Sequence, residues 1–191
     1  MEALLAALIT AGVISLGVRI ARKRRAAKES SQRQLVERSI YQMLPGDIVT
    51  IEGRDHTIEG VVELTQGASY WREAELRDGN CQRWLSVRPE RDGGIIIADT
   101  QAKLRIFGEP SEQYDDAGDI FALDSNGVAK LTTRHGSLRA LEGDSWRFWD
   151  YQRAGNQRLL LRQLGQTWQS HRGNKVPPHM IELWPAEPKD D

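Results

Sequence analysis

Glycine turns punctuate this chain. Asp78-Gly79, Asp92-Gly93, Asn126-Gly127, Gly155-Asn156 and Gly173-Asn174 recur through its C-terminal part. Asn-Gly and Asp-Gly favour tight hairpin turns, because such turns hold central residues at positive φ. The segments between them alternate. In "TIEGVVEL", Ile58, Gly60, Val62 and Leu64 fall on one side and Glu59, Val61, Glu63 and Thr65 on the other. That is the period of a strand. "YWREAELRDGNCQRWLSV" reads as one hairpin about Asp78-Gly79, and "FALDSNGVAKLTT" as another about Asn126-Gly127. The expectation is an all-β body, an antiparallel meander of about ten to twelve short strands with no helix after residue 44. Strands in such number curl into one or two small barrels or sandwiches, which removes their open edges.

The alternation breaks at "FGEPSEQYDDAG", Phe107 to Gly118, a polar stretch containing Pro110. It suggests a first β unit over 44–108 and a second over 109–186, followed by an acidic tail at 187–191. The halves share a loose pattern. Trp71, Glu73, Gly79-Asn80, Gln82-Arg83 and Leu85 are echoed by Trp149, Asp150, Gly155-Asn156, Gln157-Arg158 and Leu161. Duplication and convergence of hairpins both account for it.

The N-terminal stretch differs. "ALLAALITAGVISLGV", Ala3 to Val18, contains no charge. As a helix it covers roughly 24 Å, slightly short of a hydrocarbon core of about 30 Å. Arg19 can snorkel, which extends the apolar run to residue 21. A cleaved signal peptide carries its positive charges before the apolar run; here "RKRRAAK" follows it. The expectation is a transmembrane helix over 1–21, in the bilayer through residues 3–21. Arg22, Lys23, Arg24, Arg25 and Lys28 would lie at the membrane surface. The positive-inside rule then keeps the basic flank cytosolic and the N-terminus outside. A buried or interfacial amphipathic helix is the other reading of the run. Residues 22–43 read as a basic helical stalk, with Leu35, Val36, Ile40 and Met43 as its apolar positions, ended by Pro45-Gly46.

Charge supports this division. Eight of the 26 Lys and Arg lie between Arg19 and Arg38, so the chain from Tyr41 onward carries a net −6. A nucleic-acid-binding domain needs a concentrated positive face, and an acidic body argues against one. The single cysteine, Cys81, excludes an intramolecular disulfide.

No familiar chemistry is spelled out. His56, His135, His171 and His179 show no metal spacing, and Cys81 has no Cys-x-x-Cys partner. Ser145 in "GDS" is not a nucleophile elbow. No phosphate loop is present. Asp115 to Asp119, "DDAGD", lacks the ligand frame of a calcium loop. No cofactor is implied.

The pattern "LPGDIVTIEGRDHTIEGVVEL", "WREAEL", "RWLSV" resembles a bacterial family catalogued as domain of unknown function 4178. Its carriers here are Pro45-Gly46-Asp47, Glu52-Gly53-Arg54, Gly60-Val61, Trp71 with Glu73, and Trp84-Leu85. "GDIFALDSNGVAKL", Tyr151 and "HRGNKV" extend it more loosely, to roughly residues 44 to 185. The resemblance implies a β-rich module in a membrane-stress or polyamine-linked system. It implies no catalytic residue.

Six tryptophans, Trp71, Trp84, Trp146, Trp149, Trp168 and Trp184, lie in the β-rich part. Most are expected in the core. Alternation places Trp71 and Glu73 on one face, while Leu76, Leu85 and Val87 supply core-facing groups. The expectation is that Trp71, Glu73 and Trp84 form an exposed aromatic and acidic patch. Such a patch suits a protein partner or a polyamine-like cation, with cation–π contact contributing about 0.5–2 kcal/mol. The expected function is a membrane-tethered cytosolic binding or scaffold module at the bacterial inner membrane. An enzyme with a dispersed acidic site and, behind it, a nucleic-acid-binding β-barrel are the alternatives.

Overall fold

The computed structural model describes residues 38–89, 94–101, 106, 108–136, 138 and 144–186. The apolar run at 3–21, its basic flank, the Asp92-Gly93 turn and the tail at 187–191 lie outside them. Among the described residues no helix is long and apolar enough to cross a membrane. The described part of the expected stalk holds only a single 3-10 turn, Ile40–Gln42. Met43 is fully buried there rather than scattered along a solvated helix.

The body is all-β. Its strands are β1 Ile48–Ile51, β2 Arg54–Gln66, β3 Ser69–Asp78, β4 Cys81–Arg88, β5 Gly94–Gln101, β6 Gln113–Asp116, β7 Asp119–Gly136, β8 Ser145–Arg153, β9 Gln157–Leu164, β10 Thr167–Val176 and β11 Ile181–Trp184. Two-residue loops such as Glu52-Gly53, Gly79-Asn80 and Gly165-Gln166 join neighbours. Positive φ at Glu52, Gly53, Gly79 and Gly165 makes these loops tight.

The strands follow the order β11-β1-β2-β3-β4-β5-β10-β9-β8-β7-β6, and β2 also pairs with β7. That last pairing, Gly60↔Gly136 through Thr65↔Lys130, closes eight strands into one barrel. The 13-residue β2 makes closure possible. Its first residues pair with β1, and Gly60 to Thr65 pair with β7. A bulge between Ile58 and Gly60 bends the strand at the changeover. The stretches 44–108 and 109–186 are therefore parts of one barrel. β5 pairs with β10 on one side and β2 with β7 on the other.

Two expected hairpins are absent. Asn126-Gly127 lies inside the 18-residue β7, paired with Trp149 and Phe148 of β8. A Cβ on Gly127 would stand 2.0 Å from Gln66 Nε2, so the glycine serves close packing rather than a turn. Gly173-Asn174 runs straight through β10, between β5 and β9. A Cβ on Gly173 would meet Ile97 O at 1.9 Å. Glycine can mark close backbone approach as well as reversal.

Apolar residues fill three zones. Val62, Leu64, Trp71, Trp84, Ile96, Ala129, Trp146, Phe148, Leu160 and Leu164 form the cluster inside the barrel. An interior of eight strands is just wide enough for side chains to fill. The opposite side chains of β2 to β5, including Leu76, Leu85 and Val87, pack with Met43 and with Val49 and Ile51 of β1. Phe121, Trp149, Tyr151, Leu159 and Leu161 make a third zone outside β7 to β9. With apolar groups on both faces, several strands are buried on both sides.

Asp47 fastens the ends of this body. Its Oδ2 accepts from Leu44 N at 2.8 Å, and its Oδ1 accepts from Ala186 N at 2.8 Å. Arg38 Nη2 lies 3.2 Å from the same Oδ1. The Pro-Gly-Asp opening thus joins the entry to β1 to the segment that follows β11.

Candidate functional site

Four charged side chains meet inside the barrel: Glu73 from β3, Arg88 at the end of β4, Asp150 from β8 and Arg162 from β9. Alternation explains their direction. Trp71, Glu73 and Glu75 share one face of β3, and Leu160, Arg162 and Leu164 share one face of β9. Closure through β2 and β7 turns both faces inward.

Arg162 is the hub. Its Nη2 donates to Glu73 Oε1 at 2.6 Å and its Nε to Oε2 at 3.1 Å. Nη1 donates to Asp150 Oδ1 at 2.6 Å and to Leu161 O at 3.0 Å. Arg88 Nη2 completes the row on Asp150 Oδ2 at 2.5 Å. Glu73 also accepts from Trp71 Nε1 at 3.2 Å, Trp84 Nε1 at 3.0 Å and Ser86 Oγ at 3.4 Å. Two carboxylates therefore face two guanidiniums. Burying Glu73 and Arg162 is tolerated because both are paired and further hydrogen-bonded, while Asp150 is held between two guanidiniums.

The cluster fixes the protonation states. Burial pushes the Glu73 carboxyl up, but the charge and hydrogen bonds of Arg162 outweigh it and hold its pKa below the usual value. Glu73 is therefore ionised at neutral pH and unsuited to donate a proton. His171, stacked on Trp84 with ring centroids 4.5 Å apart, is the reverse case. Burial first, and then the Arg162 charge, lower its pKa to about 3. It sits neutral beside Thr100 Oγ1, 3.3 Å from its Nδ1.

The exposed patch expected at Trp71, Glu73 and Trp84 is not on the surface. Their exposures are 2%, 0% and 3%. The three are brought together as expected, but facing inward, and the acid is neutralised by Arg162 instead of by water. The chain's own guanidiniums occupy the places pictured for an external cation. Arg162 takes the carboxylate, and the Arg88 Cζ stands 4.6 Å from the Trp71 ring centroid and 5.5 Å from that of Phe148. Trp146 and Trp149 are core as expected, whereas Trp184 is 56% exposed. Asp116 and Asp119 of "DDAGD" pair with Arg172.

Arg88, Asp150 and Arg162 carry no sequence motif. The one available signal is an arginine inside the leucine-rich "RLLLRQL", where a strand that needs apolar groups holds a charge. Asp150 is adjacent to Trp149, whereas Glu73 lies two residues from Trp71. Both acids point inward, so Trp71 does too and Trp149 does not. The echo between the two hairpins is thus not an echo of position.

Of the four, Arg88 lines an opening. A cavity of about 220 Å³ lies at that end of the barrel, bounded by Gln66, Ser69, Tyr70, Trp71, Arg88, Ser125 and Phe148. The Arg88 side chain is 19% exposed, and its Nε is buried with no hydrogen-bond partner among the described residues. The arrangement can hold a small polar ligand at the mouth of an otherwise filled barrel.

The family described as Domain of unknown function (DUF4178) matches residues 44–178. An uncharacterized protein of Mycobacterium bovis is 27% identical to the chain over 197 residues, covering 95% of this chain and 94% of the relative. An uncharacterized protein of Mycobacterium tuberculosis matches to the same extent. No solved structure matches the chain.

Proposed function

The chain belongs to the Domain of unknown function (DUF4178) family; from its own residues we propose that it is a membrane-tethered binding module. The apolar run at 3–21 is the tether, with Arg22, Lys23, Arg24, Arg25 and Lys28 holding the cytosolic side of a bacterial inner membrane. The barrel is the binding body. The observation that carries this reading is the mouth cavity at Arg88, where a largely buried charge reaches an opening. The uncharged run Ala3 to Val18 and the basic flank that follows it are what support the tether. An enzyme with dispersed acids draws less support, because Glu73 and Asp150 both pair with Arg162.

Membrane attachment is tested by expressing the full chain and a variant lacking residues 3–21 in a bacterium. The full chain should stay with the membrane after an alkaline wash, and the variant should be released. A reporter active only outside the cytosol, fused to Asp191, should stay silent. Release of the full chain by the wash, or a strong reporter signal, would count against the tether and its orientation.

A further inference from the structure

We propose that the cavity beside Arg88 binds a small oxyanion, a carboxylate or phosphate group, through the Arg88 guanidinium. The proposal rests on the reading of the barrel as a binding body.

Donor capacity is the first argument. A guanidinium carries five N–H groups. Arg88 gives Nη2 to Asp150, and its Nε is buried with no partner among the described residues. The Arg88 side chain is 19% exposed and lines the cavity, so N–H groups of its guanidinium not spent on Asp150 can meet an oxyanion there. Asp150 does not depend on Arg88 alone, because Arg162 Nη1 already holds its other oxygen at 2.6 Å. Arg88 can therefore share its charge with a ligand without leaving Asp150 unpaired.

The lining is the second argument. It contains no acidic side chain. Trp71 and Phe148 make apolar walls, which strengthen any ion pair formed against them. Gln66, Tyr70 and Ser125 add polar groups at the rim. A cationic ligand would meet the guanidinium that already covers both aromatic rings. Size is the third argument. The cavity is about 220 Å³, well above what one water molecule needs. That admits a phosphate or a short carboxylic acid.

The test uses the full chain purified in mild detergent. Inorganic phosphate, glycerol 3-phosphate as a soluble lipid-headgroup mimic, benzoate and spermidine are titrated separately. The Arg88 Nε–H and Trp71 indole resonances are followed by NMR. At least one oxyanion should move both resonances saturably. Preference for glycerol 3-phosphate over phosphate would point to a headgroup source, and the reverse order to a free anion. Arg88→Lys, which keeps the charge but loses the fork, should weaken binding by roughly tenfold. Ser125→Tyr leaves the charge row intact and should block the cavity with little change in thermal midpoint. Absence of a saturable response to all three oxyanions overturns the proposal, as does unchanged affinity in both variants. Saturation by spermidine alone overturns the anion assignment and leaves the binding-module reading standing.

Discussion

Arg162 of β9 grips Glu73 of β3 across 89 positions of sequence, with two different nitrogens on the two carboxylate oxygens. Neither residue is more than 1% exposed. Removing one partner leaves the other charge buried without its counter-ion, which typically costs about 3–5 kcal/mol. Arg162→Met should therefore lower the unfolding free energy by roughly that amount. The double variant Glu73→Leu with Arg162→Met should lose less than the two single variants summed. Denaturant unfolding of the four proteins checks both points; a loss under about 1 kcal/mol for Arg162→Met would show that the pair is not a fastening.

Stability should fall as the medium is acidified from about pH 6.5, with a steep part above the carboxylate range. His171 has a folded pKa of about 3 against 6.5 in the open chain. The unfolded state therefore binds more protons between those values, and stability rises with pH across the window. The slope approaches about 1.4 kcal/mol per pH unit for one such group. His56, whose pKa is lowered by burial and then by the Arg83 charge, adds in the same direction. In His171→Gln the slope between pH 4.5 and 6.5 should shrink. An unchanged slope would remove His171 as its source.

Gly173→Ala should disrupt the seam between β5 and β10. The new methyl would stand 1.9 Å from Ile97 O and 2.4 Å from Ala98 Cα, and both obstacles are backbone. A loss of more than about 3 kcal/mol, or no soluble protein, is expected. Gly165→Asn is the control, since it sits in a turn at φ +56 with nothing within 4 Å. Its thermal midpoint should move by only a few degrees.

Trp71→Ala should collapse the thermal midpoint. The ring is 2% exposed, packs edge-on to Phe148 at 5.5 Å and donates to Glu73. Truncating a buried Trp costs about 3–5 kcal/mol. A variant with an unchanged midpoint would return Trp71 to the surface and refute the inward assignment.

Asp47→Ala should loosen the two ends of the body together. Backbone N–H groups of Leu44 and Ala186 lose their acceptor at once. Hydrogen exchange at both amides should quicken by a similar factor while the β3–β4 hairpin stays protected. Acceleration at one amide alone would show that the clamp does not act as a unit.

Much of the local architecture is legible in the chain. The hairpin of Tyr70 to Val87 needs only alternation and a glycine turn, and it forms with Asp78 opposite Cys81. The same cues mislead at Asn126-Gly127 and Gly173-Asn174. There the glycine answers to a neighbouring side chain or strand, Gln66 in one case and Ile97 in the other. Those neighbours lie some sixty or more positions away, so no local pattern announces them. Of the inner charge row, only Glu73 was nominated from sequence. Arg162 hides among leucines, Asp150 follows a tryptophan, and Arg88 ends a strand.

By itself the sequence determined the all-β class, the turn at Gly155-Asn156 and, one residue early at Asp78-Gly79, the turn that forms at Gly79-Asn80. It also determined that Trp71 and Glu73 share a face, because strand periodicity is a property of the backbone alone. Which way that face points was decided only when β2 met β7 and β5 met β10. The same alternating strand has its polar face wet in an open sheet and buried in a closed barrel. Closure depends on pairings between distant strands, and a buried carboxylate becomes tolerable only after a distant arginine arrives beside it.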